Sequence, residues 1–322
     1  MTNQLPPSMT ANVNFPAYFA ELQESRIIRT AADDAALVDV AKYLENPVRG
    51  QVCGLFAKNR FQFLPGDVTI WGGISGHGKS LIVGQVMSQL MMMNQRVFVA
   101  SLEMLPRFTF LRMMRQAFGR PVTKADLKDM VPAWFAWARS RLVYLDKVGT
   151  MAPDEILGCL AYAAQVYRCK HLVVDNLMRV VSGEDDYNGQ KRFVEQCCEI
   201  AMSLGVHIHL VHHVRKGETE DDEIGKFSLR GASSVADQAA NIVLIQRVLA
   251  KERKRNEGRL GDEEDKDVPD VHLSLVKHRN GDWQGRAPLW FCPQSTAYST
   301  SPERTVPRLW NGDTENLEDV PF

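Results

Sequence analysis

Gly73-Ile74-Ser75-Gly76-His77-Gly78-Lys79-Ser80 fits the pattern G-x-x-x-x-G-K-[ST], a spacing suited to gripping the phosphates of a nucleoside triphosphate such as ATP. Gly73, Gly76 and Gly78 let the backbone curl so that successive N–H groups, that of Ser75 among them, point at phosphate oxygens. A helix starting there adds its positive dipole end. Lys79 then reaches the β- and γ-phosphates, and the Ser80 hydroxyl is suited to ligate Mg²⁺. Three more residues stand where an apolar run meets polar chain: Glu103 after Val97–Leu102, Asp175 after His171–Val174, and His213 at the end of Val206–His212. A carboxylate at 103 can polarise an attacking water. An acid at 175 can hold Mg²⁺ through its water shell, and an imidazole at 213 can donate a hydrogen bond to a γ-phosphate oxygen.

These residues need a scaffold that brings distant strand ends together. Asp67–Trp71 reads as a buried strand leading into the glycine loop, and Leu81–Met87 as an apolar-faced helix leaving it. Strand-like runs at 96–101, 141–145, 171–175, 206–213 and 241–245 alternate with helical stretches, which predicts an α/β fold with a mostly parallel, doubly wound sheet. Two later runs, 271–277 and 287–291, predict an antiparallel extension. Residues 1–48 carry two helical stretches, the second opened by Asp33 and Asp34, and are too short for a core of their own; they are expected to act as a linker or latch. Residues 49–298 form the main domain, and 299–322 a flexible acidic tail.

The chain has 322 residues, 45% hydrophobic and 24% charged, with a net charge of -1. That balance excludes indiscriminate coating of nucleic acid, so such contacts must come from local basic loops. No apolar run is long enough to span a membrane and no signal-peptide pattern is present, so a cytoplasmic location is expected, in the host cytoplasm if phage-encoded. The six cysteines show no zinc spacing and read as reduced core residues. Four of the eight histidines fall at 207, 209, 212 and 213. Strand alternation sets His207 and His209 on one face and His212 on the other, with no cysteine or carboxylate nearby in sequence, which argues against a metal site. Beyond His213, Arg215, Lys216, Lys226, Arg230 and Gly231 form a basic, glycine-containing stretch suited to gripping phosphates.

Five blocks in order carry a resemblance: Gly73–Ser80, Ser101-Leu102-Glu103-Met104, Val173-Val174-Asp175-Asn176-Leu177, the His213 stretch through Leu229-Arg230-Gly231, and Lys277-His278-Arg279-Asn280-Gly281. Over about 62–291 the chain resembles the RecA-like P-loop motor domain of hexameric replicative DNA helicases, of the DnaB and phage primase-helicase types. The resemblance implies an ATP- and Mg²⁺-dependent homohexamer moving 5′ to 3′ on single-stranded DNA. In it Glu103 is the catalytic glutamate and His213 the γ-phosphate sensor, while Lys277 and Arg279 reach into a neighbour's site. Arg215, Lys216, Lys226, Arg230 and Gly231 line the DNA channel, and Phe291 touches the base. Ala239-Ala240-Asn241 stands where Asp-Ala-Asp is frequent, which points to an altered interface contact. No primase or zinc-ribbon region is present. The ending Asp319-Val320-Pro321-Phe322 is similar to the acidic tip of bacterial single-stranded-DNA-binding proteins, implying that Asp319 and Phe322 dock on a polymerase or other replisome protein. The alternatives are a RecA-like recombination or repair ATPase and a nucleotide-switched loader or adaptor.

Overall fold

The computed structural model describes residues 34–45, 49–181, 186–214, 232–305, 309, 310 and 312. The chain divides into two units, Met1–Val48 and Arg49–Phe322. The first contributes one described helix, Asp34–Glu45, on which Val38, Val40 and Leu44 are exposed.

The second unit begins with a small hairpin, β1 (Gln51–Val52) and β2 (Gln62–Phe63). A nine-stranded sheet follows, formed by β3 (Val68–Gly73), β4 (Val97–Ser101), β5 (Leu142–Tyr144), β6 (His171–Asp175), β7 (His207–His213), β8 (Asn241–Arg247), β9 (Val271–His278), β10 (Gly285–Cys292) and β11 (Ala297–Ser299). Its spatial order is β11-β10-β9-β8-β3-β7-β6-β4-β5. The pairings from β8 across to β5 are parallel, and those from β8 out to β11 antiparallel. This is the expected sheet with its antiparallel extension, one strand longer than the sequence runs predict.

The parallel strands are apolar almost throughout because both sheet faces are covered. One face packs Ile70, Leu172 and Ile208 against the helices Pro153–Gln165 and Tyr187–Leu204; the other packs Trp71, Val99 and Val173 against Lys79–Met92, Pro106–Phe118 and Met130–Ala138. Pro153 and Pro106 open their helices, where a missing N–H costs nothing. Met91, at the C-terminal end of Lys79–Met92, is a core residue.

One expectation changes. Packed chain continues past residue 299, where the tail was placed: Arg304 is ion-paired, Leu309 is buried, and Trp310 lies against Phe118 with ring centroids 5.6 Å apart. Those partners are distant in sequence, so a stretch read only for its charge gives no sign of them. Asn241 is buried and donates within its own chain to Thr69 Oγ1 at 3.2 Å and Asp67 Oδ2 at 3.4 Å, a core polar bridge.

Candidate nucleotide-binding site

Strand register gathers the site. Gly73 pairs with His213 across β3 and β7, and with Ile245 across β3 and β8; Ser101 pairs with Asp175 across β4 and β6. All lie at the C-terminal ends of the parallel strands, the edge where open α/β sheets hold ligands.

The loop from Gly73 to Ser80 leaves β3 and enters the helix Lys79–Met92. Gly76 and Gly78 have φ of 83° and 87°, a conformation that penalises any side chain. At Gly78 an added Cβ would also lie 2.3 Å from Tyr298 Oη, so the loop is closely covered there. The helix has no side-chain cap at its N-terminus, which leaves its first N–H groups for a ligand. Lys79 is buried, and its ammonium donates to Gly73 O at 2.9 Å and Ile74 O at 3.0 Å. Arg247, at the end of β8, ties the loop down: its Nη1 donates to Gly76 O at 3.3 Å, and its N–H donates to His77 Nδ1 at 3.3 Å. Sequence reasoning missed Arg247 because nothing local links it to the loop.

Asp175 is buried and accepts a hydrogen bond from the Ser80 side chain. Burial raises its pKa; Ser80 opposes this, Glu103 adds to it, and Lys79 and Arg112 oppose it. A desolvated carboxylate joined to a hydroxyl beside a phosphate loop is a donor set that suits Mg²⁺. Arg112 lines a small cavity with Ser80, Ser101 and Asp175 and is a second residue the sequence did not single out.

Glu103 lies two residues beyond β4. It caps no helix, since the next one begins at Pro106 with Leu105 as its N-cap and no side-chain cap bond. Its side chain is 40% exposed, and Arg179 Nε stands 3.5 Å from its Oε1. His213 has two close neighbours. Asn176 Oδ1 accepts the Met178 N–H at 2.9 Å, so its Nδ2 is the group that donates to His213 Nε2 at 3.0 Å. That leaves the ring proton on Nδ1, which therefore meets the Lys79 Nζ at 3.3 Å as donor against donor, a contact and not a hydrogen bond. Burial, and then the Lys79 ammonium, hold His213 below the ordinary imidazole range, so the ring is neutral.

A pocket of about 220 Å³ opens beyond Gly76 and Gly78, walled by Leu81, Arg255, Phe291 and Tyr298. Phe291 therefore stands beside the loop. Lys277 and Arg279 do not. β9 runs antiparallel to β8, and Lys277 pairs with Ile242 while Gly73 pairs with Ile245, so the two cations sit at the far end of the strands. There they hold the last carbonyls of the helix Ala232–Gln238: Lys277 Nζ donates to Ala236 O at 2.7 Å and Asp237 O at 2.9 Å, and Arg279 Nη2 to Asp237 O at 2.8 Å. Arg215, Lys216, Lys226, Arg230 and Gly231, and likewise Asp319 and Phe322, lie outside the described residues.

The histidine run gains a member from β6. His209 accepts from Trp71 Nε1 at 3.2 Å, His209 Nε2 meets His171 Nδ1 at 3.3 Å, and His207 bonds Thr69 Oγ1 at 2.8 Å and Leu64 O at 2.7 Å. These partners are protein groups, and no cluster among the described residues is arranged to hold a metal ion. Nor is any helix among them long and apolar enough to cross a membrane.

The mostly parallel sheet with its covering helices has counterparts among solved structures. A DnaB-like replicative helicase, described with its interactions with primase, aligns with a TM-score of 0.65 and 16% identity over 88% of this chain and 70% of that one. A solved ATPase domain aligns at 0.63 and 16% over 84% of this chain and 99% of that one. The fold is that of RecA-like P-loop ATPases. The family described as AAA domain matches residues 60–219, which span the glycine loop, Glu103, Asp175 and His213. No curated protein matches in sequence.

Proposed function

We propose that this chain is the motor of an ATP-driven DNA helicase: a homohexameric ring that hydrolyses ATP and moves 5′ to 3′ along single-stranded DNA. The observation that carries the reading is that Lys277 stands beside Ile242, and Arg279 beyond it beside Ala240, towards the start of β8, while their own phosphate loop leaves beside Ile245, with an otherwise well-furnished ATPase site there. Cations so placed can act on phosphate only in a neighbouring copy, which calls for a ring or filament.

In the proposed reaction the loop amides and Lys79 bind the triphosphate and fix the γ-phosphorus for in-line attack. Ser80 and Asp175 would hold Mg²⁺, which supplies charge neutralisation on the β- and γ-oxygens. Glu103 orients and polarises the water, and Arg179 steadies that carboxylate. His213, kept neutral with its proton on Nδ1, donates to a γ-phosphate oxygen once Lys79 turns toward the phosphates. The basic residues from Arg215 to Arg230 would follow the DNA backbone. Residues 1–48 would latch adjacent subunits, and the tail ending in Asp319 and Phe322 would dock on a replisome protein.

Strand displacement on forked substrates of opposite polarity, with particle imaging in the presence of nucleotide, tests the reading. Unwinding of the fork with a free 5′ arm by rings supports it; filaments indicate a recombination ATPase, and binding without turnover a switched adaptor.

A further inference from the structure

The wall of the 220 Å³ pocket is held by charged side chains that nothing in its sequence neighbourhood connects. The last pair between β9 and β10 is Leu289 with Val271, so the ladder stops two residues short of Phe291. Asp270, just before β9, takes over. Its N–H donates to Leu289 O at 2.9 Å, and its Oδ2 accepts the Phe291 N–H at 2.8 Å. Arg304 Nε donates to Phe291 O at 3.0 Å. Both backbone polar groups of Phe291 are thus engaged by side chains where a strand would otherwise be needed.

Those side chains belong to one ion cluster. Lys251 Nζ lies 3.1 Å from Asp270 Oδ1 and 3.2 Å from Asp265 Oδ1, with its side chain 1% exposed. Arg255 Nη2 lies 2.8 Å and 2.6 Å from the same two oxygens. Arg304 completes it, with Nη2 3.2 Å from Asp270 Oδ2 and Nη1 2.7 Å from Asp265 Oδ2. A buried lysine is costly to desolvate, and a cluster of this kind is weak evidence for stability. Its geometry has a more specific consequence: the β10–β11 register sets Phe291 opposite Tyr298, with ring centroids 5.3 Å apart, and the cluster holds the Phe291 backbone from the other side.

We propose that Asp270 and Arg304 are positioning residues for the nucleotide base. They clamp the Phe291 backbone so that its ring offers a preformed stacking surface, and Arg255, the cluster member with its side chain 44% exposed, faces the same pocket. The proposal rests on the pocket being the nucleoside end of the ATP site. It predicts a defect confined to the nucleoside half of the ligand, because the clamp's bonds are made to the Phe291 backbone.

The test compares ATP with inorganic tripolyphosphate, which engages the loop alone. In Arg304→Gln the KM for ATP and the Kd of ATP rise about tenfold with kcat within about threefold, while the inhibition constant of tripolyphosphate is unchanged. Arg304→Lys restores part of the affinity. Phe291→Ala weakens ATP by a similar factor, and the double variant is no worse than the weaker-binding single one, since both act through one ring. Unchanged ATP affinity in Arg304→Gln, equal weakening of ATP and tripolyphosphate, or effects that multiply in the double variant would overturn the clamp. If Arg304→Gln does not fold, Asp270→Asn, which keeps an acceptor for the Phe291 N–H, is put through the same cycle and judged by the same outcomes. Lys79→Ala is the control for the site itself: it should bind neither ligand, and normal binding there would sink the ATP-site reading rather than the clamp.

Discussion

Gly73 and His213 are register partners across β3 and β7, and that pairing delivers a neutral imidazole to the mouth of the phosphate loop. Asn176, one residue beyond Asp175, then directs the ring proton toward the side where Lys79 stands. In Asn176→Ala the tautomer is no longer held. Turnover should fall roughly tenfold to a hundredfold, as for other groups that orient a reacting side chain, with nucleotide affinity retained. Equal turnover in single-turnover assays would remove Asn176 from the mechanism.

Lys79→Ala and Glu103→Gln should fail differently. The first removes the ammonium that meets the phosphates, so nucleotide affinity is abolished. The second preserves the shape of the site and removes the carboxylate, so binding persists and hydrolysis falls by roughly 10²- to 10⁴-fold. Fluorescent-nucleotide titration beside steady-state hydrolysis separates them; full turnover in Glu103→Gln would sink its role.

Arg279→Ala should abolish DNA-stimulated hydrolysis without weakening nucleotide binding, because its guanidinium lies at the far end of the strands from its own loop. Mixed assemblies check this. Doping with Arg279→Ala and Lys79→Ala subunits should give activity that depends on which neighbours meet, and independence of pairing would exclude action in trans.

Single-stranded DNA affinity should fall with rising salt. Neutralising any one of Arg215, Lys216, Lys226 or Arg230 should flatten the log-log slope by about 0.7, because one fewer phosphate charge is matched. Titrations at several salt concentrations measure it. A salt-independent affinity would mean that those residues do not follow the backbone.

Acid should destabilise the fold through the histidine cluster. Burial pushes His207 down to about 4 and holds His171 and His209 well below the ordinary range. Each folded pKa lies under its unfolded value, so on acidification the unfolded chain takes up protons first. The stabilisation is complete above about pH 6.5 and declines progressively toward pH 4, with His207 contributing about 3 kcal/mol at 1.4 kcal/mol per unit. Denaturant melts from pH 7 to 4 should show the decline, and His207→Gln should reduce its steepness; the same slope in the variant would assign the acid sensitivity to other groups.

The sequence alone determined the parts whose causes are local. A glycine loop between a buried strand and a helix is legible because turn chemistry and apolar runs act over a few residues, and the acids at 103 and 175 stand out because a polar residue ends an apolar strand. The mostly parallel sheet follows from the alternation of those runs with helical stretches, and its antiparallel extension from two late runs with no helix long enough to cross between them. Only the tertiary structure decided who meets whom across the sheet. Register, set by packing on both faces, brought Asn176 to His213 and His171 to His209, and it carried Lys277 and Arg279 to the end of the strands opposite their own phosphate loop. Asp270 and Arg304 meet at Phe291 because a strand runs out there, an event of pairing geometry that leaves no mark on the residues nearby in the chain.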